Sequence, residues 1–458
     1  MTIAGELAAF LTNTKVSDLP PVALERAAMC IASTIASAAM GYDIESARII
    51  RGIEIENGGV SQASVWFDGA RLPVTSAARA NALASDAAAS DDSDLRSIAH
   101  IGSIVSTCAI AMGEHLGRSG REVLGAMVLG YEAAGRIDEA RTPGRMQKGF
   151  HGSVSTVFGS AVATGKLLDL DVLQMTQAIA IAATSIGGMA VAANTSCARE
   201  YHAGLAAMLG VQAALAARRG FAAEASVLEA PRGFFESLGG QALDEVTRDL
   251  GHSWDIATDM AIKLMPGGHP FHAIAEAAAN AAIEGDAQPA EISQIMISAA
   301  QMRDWHGPIH PRDLIGAAHS VVYFVAAAIA DRGFGWQHAT DAKMADPVIG
   351  ALQDKVVFAP NPTPLPDRFT HRHGGTVTIT MNNGRTFTNT CTAPRGSGPR
   401  GVDWKDVDAK FRRLVPLSGL PAQRMEECLH FIHHIGEAKS VSALTDLLRL
   451  PSWHSDFL

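Results

Sequence analysis

The chain has 458 residues, of which 47% are hydrophobic, 18% charged and 6% aromatic, and its formal net charge is −10. Such a length exceeds one ordinary core and predicts two domains. An acidic chain without a basic run is a poor fit to nucleic acid or a membrane surface, so neither partner is expected. Scarce aromatics and abundant alanine point to closely packed helices rather than a strand sandwich. The five cysteines, Cys30, Cys108, Cys197, Cys391 and Cys428, form no CxxC pair. They predict reduced thiols and a cytoplasmic protein. No basic region precedes an apolar stretch at the N-terminus, so no signal peptide is expected. Apolar runs such as 29–40 read as too short to span a bilayer.

In chain order, Pro20-Pro21 opens a helix over 22–40, since proline costs little in a first turn. Further helices are expected over 45–56 and 76–89. The acidic stretch 86–103 follows, and then a helix with Ile104, Cys108 and Met112 on one face and Ser103 as its N-cap. A helix over 122–137 makes an antiparallel pair with it. Residues 142–150 read as a loop that delivers His151 to another helix, and 194–201 as a polar link before a helix over 203–218. The isoleucine-rich run 292–298 fits a buried strand, and 316–329 a single helix. Thr376–Cys391 reads as a hairpin around a type I′ turn at Asn383-Gly384. Residues 359–367 form a proline-rich loop. These elements give a mainly α fold: an all-helical domain from 1–265 plus 395–458, and an inserted α/β lid domain over 266–394.

Histidines recur where polar links meet helix starts: His100, His151 and His202. An imidazole exchanges protons near neutral pH, and a helix N-terminus favours an anion. Arg199 stands three residues before His202 with a planar fork suited to a carboxylate. Lys263 precedes a Pro-Gly-Gly turn followed by His269 and His272, and Tyr323 lies on a later helix. Taken singly, each has a structural explanation, and Asp91, Asp92 and Asp94 alone would be a solvated loop. Metal signals are weak: His430, His433 and His434 lack an HExxH or paired-cysteine pattern, and no metal is expected. Gly396-Ser-Gly-Pro-Arg-Gly401 matches GxGxxG but follows a hairpin, so it reads as a linker.

Taken in order, several pieces resemble the MmgE/PrpD family over nearly the whole length. They are Asn81-Ala-Leu-Ala with Asp91-Asp92-Ser93 and His100-Ile-Gly; Gly130-Tyr131-Glu132 with Arg136; Gly149-Phe150-His151; Arg199-Glu-Tyr-His202; Lys263-Leu-Met-Pro266 with His272; Ala318-His-Ser-Val-Val-Tyr323; and Lys410-Phe411. The resemblance implies a helical domain with an inserted lid, a homodimer without cofactor, and small di- or tricarboxylate substrates. It implies a lyase, first of all a dehydratase of a citrate-like acid such as 2-methylcitrate. The alternatives are a decarboxylase or epimerase in the same site, or a non-catalytic carboxylate-binding relative. Carried over by position, His100, His151, Lys263 and Tyr323 are the catalytic candidates. Asp91, Asp92, Ser93, Arg199, His202, His269 and His272 are the substrate-binding ones. The sequence departs from the family pattern at Ala89, where an aspartate is usual, at Ser90 for an aromatic residue, at Ser93 for threonine, at Arg199 for lysine and at Gly268 for cysteine.

Overall fold

In a computed structural model, the structure describes residues 2–96, 98–185, 187–240, 243–302, 306–362, 365 and 374–450. Part of the expected loop 359–367 lies outside them. The chain is mainly α-helical and divides into two compact units, Met1–Ile262 with Trp404–Leu458, and Lys263–Asp403.

In the first unit, long helices with alanine-rich faces pack at close range. They include Pro21–Gly41, Val74–Ala87, Ile101–Leu116, Gly120–Arg141, Ser153–Leu167 and Ala198–Arg218. Small residues are the reason they can approach. Gly130 and Gly159 face each other where two helices cross, and a Cβ on Gly130 would stand 2.7 Å from the Gly159 carbonyl oxygen. Pro21–Gly41 is long and apolar enough to cross a membrane by length and composition, and most of it is buried inside the unit. The tail returns through Trp404–Leu414, where buried Lys410 donates to the Ser33 hydroxyl at 2.8 Å and to the Ser90 carbonyl.

The second unit holds a four-stranded sheet in the order Val356–Phe358, Ile292–Ser298, Gly375–Met381, Thr386–Cys391. The first pair is parallel and the other two antiparallel. Ile295, Ile297, Val377 and Ile379 alternate inward onto the helices His269–Glu284 and Val321–Ala330, forming the core. Thr376 pairs with Thr390 and Thr378 with Thr388 through hydroxyls at 2.8 and 2.9 Å, on the opposite face.

At the hairpin, only Gly384 has positive φ (82°), and its N–H bonds the Met381 carbonyl. The turn is therefore a type I turn followed by a left-handed glycine, not type I′. The expected helix 316–329 is broken at His319-Ser320 into Leu314–Ala318 and Val321–Ala330. The Ser320 hydroxyl caps the second piece by accepting from the Tyr323 N–H at 3.0 Å. The expected polar link 194–201 is helical except at Ser196-Cys197, so Arg199 and His202 lie inside Ala198–Arg218.

Candidate active site

The acidic stretch after Ala87 is not a solvated loop. Asp91, Asp92 and Asp94 are all buried, and each has a distinct job. Asp92 caps the Ile101–Leu116 helix: its two oxygens accept from the N–H groups of Gly102 and Ser103, both at 2.9 Å. Ser103 is therefore not the cap; its hydroxyl donates to Asp91 at 3.1 Å. Gly102 makes this cap possible, because a Cβ there would lie 2.6 Å from Asp92 Oδ2. The helix's positive end is thereby answered by a protein carboxylate. Asp94 accepts from the Arg96 N–H at 3.0 Å. The Arg96 guanidinium pairs with Glu139, with Asp259 at 2.5 Å and with Asp255 at 3.5 Å, fixing the loop from behind. Residues 92–94 also form a short strand paired antiparallel with Met260–Ile262, with Ser93 opposite Ala261.

With the loop so held, His100 occupies the position just before its helix, and its Nδ1 lies 2.7 Å from Asp91 Oδ2 and 2.9 Å from Asp86 Oδ1. Both neighbours are acceptors when ionised, so Nδ1 carries the proton and Nε2 becomes the exchanging nitrogen. Asp86, in the last turn of Val74–Ala87, was not among the sequence-derived site residues. Its other oxygen accepts from Arg199 Nε at 2.9 Å. Arg199 Nη2 also donates to the carbonyls of Asp86 (2.6 Å) and Ala87 (3.2 Å). The fork expected to clamp substrate thus grips the end of a neighbouring helix. Asp86, Asp91 and His100 offer three ligand atoms within 4.8 Å of one another, a spacing that could hold a metal ion. In the structure His100 Nδ1 stands at ordinary hydrogen-bond distance from both carboxylates, and Arg199 supplies a cation to Asp86.

His151 lies beside this triad, with ring centroids of His100 and His151 6.0 Å apart. Its backbone is fixed from two sides. The His151 N–H bonds the Gly188 carbonyl at 2.8 Å, and Arg145, paired with buried Asp138 at 3.0 Å, donates to the Phe150 carbonyl. The Ser153 N–H (3.3 Å) and hydroxyl (2.8 Å) approach His151 Nδ1. Nδ1 is therefore an acceptor, and the neutral ring carries its proton on Nε2. Burial, with the nearby charges of His100 and Arg145, pushes His151 well below the usual imidazole range. Burial also lowers His202, whose buried Nδ1 has no hydrogen-bond partner among the described residues. Ser93 is buried as well, its hydroxyl without a partner among the described residues.

The remaining candidates belong to the second unit. Lys263 is its first residue and is buried, unlike an ordinary surface lysine. His269 and His272 lie in the first turn of their helix, both buried, with ring centroids 4.7 Å apart; His272 stacks on Phe324. Tyr323 is buried in the core, and its hydroxyl donates to the His338 carbonyl at 2.7 Å. Burial pushes that phenol above its ordinary range.

Profiles for the two halves of one family match this chain: the MmgE/PrpD N-terminal domain over residues 5–246 and the MmgE/PrpD C-terminal domain over residues 265–430. Among curated relatives, cis-aconitate decarboxylase of Homo sapiens is 27% identical, covering 98% of this chain and 95% of its own length. Cis-aconitate decarboxylase of Aspergillus terreus is 25% identical over 98% of this chain and 96% of its own length. A cis-aconitate decarboxylase-like protein of Aspergillus oryzae is 24% identical, covering 97% of each.

Proposed function

Since the chain belongs to the MmgE/PrpD family, we propose that it is a lyase that decarboxylates a small unsaturated polycarboxylate such as cis-aconitate. The reading is carried by one observation: two adjacent imidazoles with opposite proton placement, His100 bearing its proton on Nδ1 against two carboxylates and neutral His151 accepting on Nδ1. Such separated roles are what acid–base chemistry at one centre requires. The names of the relatives favour decarboxylation over the dehydration expected first.

In this mechanism the C–C bond to one carboxylate breaks and CO₂ leaves. The electron pair stays on the substrate, spread into the remaining unsaturated acid. Protonated His100 then delivers a proton from Nε2 to carbon and recovers it from water. Asp86 and Asp91 offset the imidazolium charge through Nδ1, as a carboxylate does for a catalytic histidine. Neutral His151 donates from Nε2 to a substrate carboxylate. Lys263 enters the proposal from its place in the family motif, as a cation for a second carboxylate.

The test is incubation with cis-aconitate and with 2-methylcitrate in D₂O, followed by NMR and CO₂ trapping. Decarboxylation releases CO₂ and places deuterium on the product carbon. Alkene formation from 2-methylcitrate without CO₂ would instead make the enzyme a dehydratase, and turnover of neither acid overturns the reading.

A further inference from the structure

Three helices of the first unit carry the candidate site at their N-terminal ends: Ile101–Leu116 after His100, Ser153–Leu167 after His151, and Ala198–Arg218 with Arg199. All three point the same way. Their C-terminal ends meet at a cavity of about 410 Å³, lined by His115, Leu116, Leu168, Leu215, Arg218 and Arg219 among others. It lies about 24 Å from His100, the length of a sixteen-residue helix. The volume falls in the range of small-molecule sites.

Among the described residues, the ionisable lining of this cavity is entirely basic, in a chain with 47 acidic and 37 basic residues. Arg219 donates to the Leu215 carbonyl at 3.3 Å, and among the described residues neither arginine nor His115 pairs with a carboxylate. Cations in a last helical turn offset the carbonyl end of the helix dipole, which accounts for one charge per helix. It does not account for adjacent arginines beside a cavity whose mixed lining also includes Val74, Met112, Leu116, Leu168 and Leu215. We propose that this cavity binds a small organic anion with an apolar body: the carboxylate on Arg218 and Arg219, the hydrocarbon against Met112, Leu168 and Leu215.

The site is independent of the proposed reaction and can be tested without turnover. Isothermal titration of the full chain with hexanoate should give saturable binding, and inorganic phosphate should bind at least about tenfold more weakly. The R218A/R219A variant changes exposed residues only and should lose hexanoate affinity about tenfold or more with its melting temperature unchanged. Leu215→Trp, which keeps both arginines and fills the cavity, should lose it as well. Absence of saturable binding to the wild type, equal affinity for phosphate, or full affinity in either variant would overturn the proposal.

Discussion

Arg199 and His100 hold opposite oxygens of one carboxylate: Arg199 Nε lies 2.9 Å from Asp86 Oδ2, and His100 Nδ1 lies 2.9 Å from Asp86 Oδ1. The arginine therefore acts on the histidine through Asp86. Lysine, a point charge without a fork, cannot hold one carboxylate and two backbone carbonyls in the same way.

Replacing Asp86 by Asn should then remove charge from His100 and a partner from Arg199 together. The expected result is a fall in kcat of about 10²-fold with a smaller change in KM, the size typical of lost acid–base assistance. Steady-state kinetics on cis-aconitate checks this, and an unchanged kcat would remove Asp86 from the mechanism.

The depressed His151 has consequences for pH. Its folded-state pKa lies below that of a free imidazole, about 6.5. The unfolded chain thus takes up a proton below that pH while folded His151 stays neutral, so stability declines as pH falls through that value. The same shift keeps His151 neutral for catalysis, and the acid limb of kcat/KM should lie below pH 6.5. An acid limb with its midpoint at or above that pH would contradict the assignment. The unfolding midpoint of the wild type should fall more steeply toward low pH than that of His151→Asn.

Gly102→Ala should displace the Asp92 cap, since the new Cβ would stand 2.6 Å from Asp92 Oδ2. A lost N-cap costs about 1 kcal/mol, and strain at this buried site adds to it. Denaturant unfolding measures the loss; a melting curve identical to that of the wild type would show that the cap is dispensable.

Ala89 occupies the left-handed region at φ 50°. An L-residue with a Cβ pays about 1 kcal/mol there, whereas glycine does not. Ala89→Gly should therefore stabilise the protein modestly or at least offset its greater chain entropy. A clear drop in melting temperature would mean that the Ala89 methyl is needed for packing.

The sequence pattern anticipates the helices at 22–40, 45–56 and 76–89 because their apolar spacing and stop residues are local. Both hairpin strands are legible for the same reason. The clustering of His100 and His151 follows from recurring histidines at helix starts together with the family resemblance. What escapes is set by partners distant in sequence. Nothing local shows that Asp92 caps a helix starting nine residues later, or that Asp86 meets Arg199 across 113 positions. Ser103 looks like the better cap by residue type and loses to a carboxylate with two oxygens to offer. Arg199 reads as part of a link because Asn194, Thr195, Ser196 and Arg199 are polar, yet Glu200 in the first turn suits a helix start.

The grip of Lys410 on the Ser90 carbonyl joins positions 320 residues apart. During synthesis, the loop bearing Asp91 and His100 emerges from the ribosome long before the lysine that completes its packing. The whole intervening unit must be translated first. The growing chain therefore passes most of its synthesis with this loop unfinished and exposed to chaperones and proteases. A chain stopped before Trp404 should be degraded readily and recovered in low soluble yield, and pulse-chase measurement of the truncated and full-length chains gives the comparison.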